Sequence, residues 1–269
     1  MIRAFKVLYA VAYVTYKEWV AYRSHMLVSL FVGPAYFLIQ YFIWHAFFLH
    51  NETINGFTLQ QMLSYYGVMT LIKYCIMDFA DWNLQMLIRT GRFITFILRP
   101  VSHQYFAFSQ KVGHRILGFT LEFIPVYILF YFVFGIFLIP ASFMWAIISI
   151  ILGFIMMFLV NYSVGITGFW LIRTEGIRRM FILLSNIFTG VFLPLTFFPL
   201  AFQKILFFLP FQYILYVPVR VFLGSYKLAG IQVQIPHIVA LQAVAVLIMW
   251  GFSRLLWRFG IRRFTGVGV

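Results

Sequence analysis

The sequence predicts an all-α, polytopic membrane protein. It has six transmembrane helices, an amphipathic helix at the N-terminus and outer re-entrant helices after the fifth span, in one transmembrane domain over residues 1–269. Three observations carry this. First, 64% of the 269 residues are hydrophobic and only 10% are charged, where an ordinary soluble domain is about 25% charged. Too few polar side chains exist to coat a water-facing surface, and so apolar a chain does not stay disordered. Second, six apolar stretches reach the roughly 20 residues that a helix needs to cross a bilayer. Third, the chain holds 20 Lys and Arg against 6 Asp and Glu, and the cations crowd onto alternate loops.

The elements follow in order. In residues 1–25, Ile2, Phe5, Tyr9, Ala12, Tyr13, Tyr16 and Trp19 recur at helical spacing while Arg3, Lys6 and Lys17 fall mostly off that stripe. This predicts an amphipathic helix in the headgroup region, the alternative being the start of a long first span. The segment has no apolar core of the length a secretory leader requires. The spans are expected at 26–49, 59–80, 105–138, 142–171, 179–199 and 234–257. The third is longer than a bilayer requires, so Lys111 and Arg115 stand in or below the headgroups, and Pro125 kinks it. Residues 205–219 are apolar but short and interrupted by Pro210, Gln212 and Pro218. They suit a re-entrant or interfacial segment better than a seventh span.

Loop charge sets orientation. The N-terminal segment carries Arg3, Lys6, Lys17 and Arg23. The stretch before and into span three carries Arg89, Arg92, Arg99, Lys111 and Arg115. The loop after span four carries Arg173, Arg178 and Arg179, and the tail Arg254, Arg258, Arg262 and Arg263. The opposite side has only Lys204, Arg220 and Lys227. Sixteen against three places both termini in the cytoplasm of a multi-pass protein of the cytoplasmic (inner) cell membrane. The net charge of +14 is thereby explained by orientation in a lipid membrane and not by nucleic-acid binding.

Few groups at membrane depth carry chemistry. Lys73, Asp78, Glu122 and Asn161 are the intramembrane polar candidates, since a charge there needs a partner, a cavity or the interface. Lys73 and Asp78 stand on different sides of one helix. Lys111, Arg115 and Glu122 share a face. An ion network at a helix seam and a conduit for substrate or protons both fit these residues. Asp78 and Asp81 form a DxxD, the pattern that holds magnesium on a diphosphate, but no second acidic cluster accompanies it. The six histidines have no ligand spacing, so no metal site is expected. His25, His50, His103 and His237 look interfacial, while His45 and His114 fit neutral hydrogen-bonded rings. No G-x-S-x-G or P-loop occurs, so no catalytic residue is assigned and no cofactor is expected on this chain. Cys75 reads as a small buried hydrophobe.

Two regions look purposeful. Residues 81–102 place Leu84, Leu87, Ile88, Phe93, Phe96 and Ile97 among arginines, with Gly91 as interruption and Arg99-Pro100 as stop. A short helix here offers apolar knobs ringed by cations to a partner, or lies on lipid headgroups. On this reading aspartate at Phe93 and Phe96 disrupts the partner contact without unfolding the spans. Residues 190–224 are cut by Pro194, Pro199, Pro210 and Pro218. Broken helices at membrane depth need protein or a water cavity to satisfy their backbone, so this segment caps the outer end of a pathway or anchors spans five and six.

Four blocks carry a family resemblance. They are Arg89-Thr-Gly91 with Leu98-Arg99-Pro100-Val101-Ser102, and Phe169-Trp170 through Glu175-Gly176 to Arg178-Arg179. The third comprises Leu193-Pro194, Phe198-Pro199, Leu209-Pro210-Phe211 and Tyr216-Val217-Pro218-Val219-Arg220 to Gly224. The fourth runs from Trp257-Arg258-Phe259-Gly260 to Arg263-Phe-Thr265-Gly266. In order and spacing the chain resembles the permease subunits of ATP-binding-cassette exporters, ABC-two type, in the six-span branch. It departs at Arg92, where an acidic or polar residue is expected, and at Gly266-Val-Gly268-Val269, where relatives often end in paired glycines.

The resemblance implies an ATPase-coupling interface at Arg89, Gly91, Arg92, Phe93, Phe96, Ile97, Arg99, Pro100 and Glu175. It makes 1–25 a connecting helix, and makes 194–224, with Pro194, Pro199, Pro210, Pro218 and Arg220, outer re-entrant helices. It implies two copies of an ABC ATPase subunit, which carry the ATP and Mg, and a second six-span permease in a homo- or heterodimer. The activity would be export, with the catalysis on the partner chain. Two other functions compete: a membrane-embedded enzyme on lipid-linked diphosphates using Asp78 and Asp81, and a non-transporting scaffold.

Overall fold

The computed structural model describes residues 2–21, 23–171 and 175–264, the side chains of 2–4, 23–27 and 29 excepted. Arg173, Thr265 and the terminal glycines lie outside the described residues, as do the side chains of Arg3, Arg23 and His25. Helices α1 (Ile2–Ala21), α2 (Arg23–Phe48), α3 (Leu59–Ile76), α4 (Ala80–Arg89), α5 (Phe93–Ile97) and α6 (His103–Gly118) come first. A π-helical turn at Phe119–Phe123 leads into α7 (Ile124–Phe134), then α8 (Phe143–Ile166) and α9 (Glu175–Phe188). The chain closes with α10 (Leu200–Phe208), α11 (Tyr216–Phe222), strands β1 (Tyr226–Leu228) and β2 (Ile231–Val233), and α12 (Ile235–Ile261).

Among the described residues, four helices are long and apolar enough to cross a membrane: Leu30–Phe48, His103–Phe134, Phe143–Phe169 and Ile235–Ile261. The second and fifth expected spans are shorter, with 18 residues in α3 and 14 in α9. The reason for α3 is its surroundings. Every residue from Tyr65 to Ile72 is buried, so the helix meets protein and not lipid on all sides and tolerates Thr70 and Lys73. Its start is fixed by a capping box, in which Thr58 and Gln61 each accept the other's backbone N–H.

At 1.5 Å per residue α9 covers about 21 Å, short of a bilayer core of about 30 Å. It ends where Gly190 takes a φ of 82°. The carbonyls freed beyond it are not left bare. Tyr65 donates to the Gly190 carbonyl (2.8 Å), Tyr36 to Val191 (2.6 Å) and Tyr66 to Phe192 (2.9 Å). Irregular backbone inside protein is thus satisfied by three phenols. Beyond it the prolines start new pieces: Pro194 precedes a short 3₁₀ turn, Pro199 caps α10, and Pro210 opens another 3₁₀ turn. Pro218 sits within α11, where the first turn has no N–H to lose.

One expectation is corrected in detail. The chain is not wholly α, since β1 and β2 form a two-stranded hairpin. Ala229 and Gly230 both take positive φ (54° and 77°), the geometry of the tight two-residue turn that matches strand twist. At Pro125 the helix is irregular, since a π-helical turn at Phe119–Phe123 immediately precedes it.

α8 is the central pillar, packed against α12, α4, α11 and α3. α1 lies along α6 instead. Ala12 and Thr15 are buried there, while Phe5, Tyr9 and Tyr13 of the aromatic stripe are exposed. The Lys17 ammonium lies 4.7 Å from the centre of the Tyr13 ring, and the neighbouring phenol raises its pKa above the ordinary value. The two helices touch backbone to backbone, because a Cβ on Gly113 would strike the Ala12 carbonyl. Gly113→Leu is therefore expected to pry α1 off α6. Limited trypsin digestion checks this: cleavage at Lys6 or Lys17 rises while cleavage at Arg254 and Arg258 of α12 stays as in the wild type. Unchanged cleavage would show that the contact is not tight.

Candidate functional site

The region richest in placed functional groups is the α4–α5 hairpin and the seam behind it. α4 is amphipathic. Ala80, Asp81, Leu84 and Gln85 are buried, while Trp82 and Met86 face out. Its inner face lies against Gly165 of α8, where a Cβ would meet the Leu84 Cβ at 3.1 Å. Gly91 makes the turn into α5 with a φ of 69°, a conformation that costs glycine nothing.

Phe93 and Phe96 do not stand outward as knobs. Both are buried, at 1% and 7% exposure. The Phe93 ring packs on Phe169, Trp257, His103 and Phe264 at centroid distances of 5.2–5.9 Å. Phe96 packs on His103 at 4.6 Å and Phe106 at 4.9 Å. The reason is period: positions 93 and 96 lie on one side of a helix, and Ile94, Ile97 and Leu98 take the other. Those three are the exposed apolar residues here, with Leu98 at 83%. Arg89, Arg92, Arg99 and Pro100 are exposed too, and Gly91 is half-buried. Arg99 stacks its guanidinium over Phe96 at 4.7 Å and Phe106 at 5.4 Å. Arg89 pairs with Glu175 of α9 at 2.9 Å, an exposed bridge worth under about 1 kcal/mol.

His103 was expected at an interface. It is buried instead, with Nδ1 2.9 Å from the Tyr162 hydroxyl and its ring 5.9 Å from and parallel to Trp257. No local sequence signal marks it, because its partners come from α5, α8 and α12.

Behind the hairpin the polar groups pair off. Lys111 reaches Asp78 at 3.3 Å, both side chains nearly enclosed. Arg178 reaches Asp81 at 2.7 Å. The DxxD is thus divided between cations from two helices, and its carboxylates do not converge. Asn161 donates to the Asp78 carbonyl (3.0 Å). Arg115 donates to the Tyr74 carbonyl (2.7 Å) and to His114 (2.6 Å), which packs on Trp19 of α1. Glu122 is buried beside Arg115 over Gly118. Lys73 stands apart, its ammonium 5.7 Å from the centre of the Tyr36 ring. Cys75 is half-buried and lines an apolar cleft of about 770 Å³ between α6–α7 and α8. Sequence spacing had suggested neither the Asp78–Lys111 nor the Asp81–Arg178 pair.

Around the proline-cut segment, glutamines serve as buried connectors. Gln203 donates to the Thr196 and Phe198 carbonyls (3.0 and 2.7 Å) and accepts from Ala229 N–H (2.9 Å). Gln242 of α12 donates to the Ser149 and Tyr213 carbonyls (3.0 and 2.8 Å). Arg220 of α11 borders a polar cavity beside the β hairpin.

Long apolar helices, a central pillar and a cation-edged helical hairpin define a polytopic integral membrane protein. The profile of the family described as ABC-2 family transporter protein matches residues 35–268, and the chain belongs to that family. Nothing among curated proteins matches it significantly, nor does any solved structure.

Proposed function

We propose that the chain is the permease subunit of an ATP-binding-cassette exporter, working with a separate ATPase. One observation carries the reading most directly: Ile94 and Ile97 of α5 and Leu98 just after it are exposed, and the arginines that flank them in sequence, Arg89, Arg92 and Arg99, are exposed as well. Apolar anchors inside a polar rim are the anatomy of a protein interface. On this reading α4–α5 is the coupling helix, α1 the connecting helix, and α3 and α9 complete six crossings with both termini in the cytoplasm of the inner membrane. A half of six spans does not enclose a pathway, so it dimerises with itself or a second permease. Two ATPase copies then bind ATP and Mg, and the segment 194–224 re-enters from the outer side.

The mechanism is rigid-body transmission. A push on α5 passes to α4 through the Gly91 turn, and to the ends of α8 and α12 through the Phe93 cluster. α4 bears on α8 through the Leu84–Gly165 contact, and α8 carries α12 with it. The competing diphosphate chemistry needs two free carboxylates, and Asp78 and Asp81 are each held by a cation.

The test is purification of the tagged protein from its native membrane in mild detergent. A stoichiometric partner carrying a P-loop is expected, and a chain that purifies alone in several detergents would count against the exporter. Ile97→Asp with Leu98→Asp should lower the co-purified ATPase by about tenfold or more, as loss of central interface anchors does. Both side chains are exposed, so the permease itself should accumulate normally. Undiminished co-purification would remove α5 from the interface.

A further inference from the structure

Between α3, α11 and the β hairpin lies a cavity of about 750 Å³, within the 300–1,000 Å³ typical of small-molecule sites. Its wall is polar, and two cations, Arg220 and Lys227, border it. Gln60, Gln61, Ser64 and Ser225 add neutral donors and acceptors, and no Asp or Glu lines it. The positive charge is therefore not neutralised from within.

Arg220 is held for use. Its Nη2 donates to the Ser225 hydroxyl at 3.1 Å, and its guanidinium lies 5.8 Å from the centre of the Phe57 ring. Its Nε is enclosed and has no hydrogen-bond partner among the described residues. With Nε enclosed it is left to the Nη groups to meet a ligand, and a planar guanidinium suits a carboxylate or phosphate. Lys227, exposed on β1, supplies a second charge from another element.

We infer that this cavity binds an oxyanion, a carboxylate or phosphate group, with Arg220 as the principal contact and Lys227 as the second. That it opens on the outer side rests on the exporter topology; the binding itself does not. The group could belong to a lipid headgroup or to a water-soluble molecule, and the chemistry at Arg220 is the same for both.

The experiment is titration calorimetry on the protein purified from its native membrane with whatever subunits accompany it. The probes are short-chain phosphatidylglycerol, glycerol phosphate, and glycerol as an uncharged control. Saturable binding of an anion, absent for glycerol and weaker at higher NaCl, is expected. Lys227→Gln should weaken it by about tenfold, and Arg220→Gln should abolish it. Binding of phosphatidylglycerol alone assigns a lipid headgroup, and binding of glycerol phosphate as well assigns a soluble anion. No saturable binding of either, or binding that Lys227→Gln leaves within about twofold, overturns the inference. The exposed Lys227 keeps the test decisive should Arg220→Gln fail to fold. ATPase co-purification is scored on the same sample. An intact complex without anion binding sinks only this site, whereas a lone chain that still binds the anion sinks only the exporter.

Discussion

Phe93→Asp is expected to remove the folded protein from the membrane. The ring is 1% exposed and shares the space among α5, α8 and α12 with Phe169, Trp257, His103 and Phe264. Truncating such a ring costs about 3–5 kcal/mol, and an unpaired carboxylate in its place adds a further desolvation penalty. Together these approach the whole stability of a typical domain, about 5–15 kcal/mol. Phe96→Asp should act alike but less, since Phe96 lies nearer the edge. The measurement is the amount of monodisperse protein in detergent and its melting temperature. A Phe93→Asp protein with wild-type yield and melting temperature would mean that the aromatic cluster does not hold α5. The contrast with Ile97→Asp, on the outward face of the same five-residue helix, separates a folding defect from an interface defect.

Asp78→Ala should cost about 3–5 kcal/mol, because it leaves the Lys111 ammonium enclosed without its partner. The same principle predicts recovery when both charges go: Asp78→Asn with Lys111→Met should regain most of the lost melting temperature. Stability unaltered in Asp78→Ala would mean that water reaches Lys111. A double variant no better than the single would mean that the carboxylate does more than balance this charge.

Much of the fold was legible because a bilayer simplifies the problem. Long apolar runs near 26–49, 105–138, 142–171 and 234–257 correspond to the four long apolar helices, since only helices satisfy their own backbone in hydrocarbon. The proline positions foretold breaks in the chain, and breaks occur at Pro194, Pro199 and Pro210. Legibility failed where partners are distant. α3 reads as an ordinary lipid-facing span, yet its middle, Tyr65 to Ile72, is buried in protein. α9 reads as a span, yet it stops at Gly190, with tyrosines from α2 and α3 taking up the loose carbonyls. The β hairpin left only a weak trace, two three-residue strands about an Ala-Gly turn.

The candidate site divides in the same way. Composition located the cationic hairpin at 81–102, because arginines beside apolar residues are conspicuous in so apolar a chain. It did not tell which of those apolar residues face in. Only the packing of α5 decided that Phe93 and Phe96 are core and that Ile94, Ile97 and Leu98 are surface. The sequence by itself determined that this is a helical membrane protein, where its long apolar helices run, and which loops carry its charge, because those follow from hydropathy and local spacing. The tertiary structure alone decided which charges neutralise one another and which cations, Arg220 and Lys227, border a cavity lined by no acid. Those outcomes depend on distances between residues far apart in the chain, which no local pattern encodes.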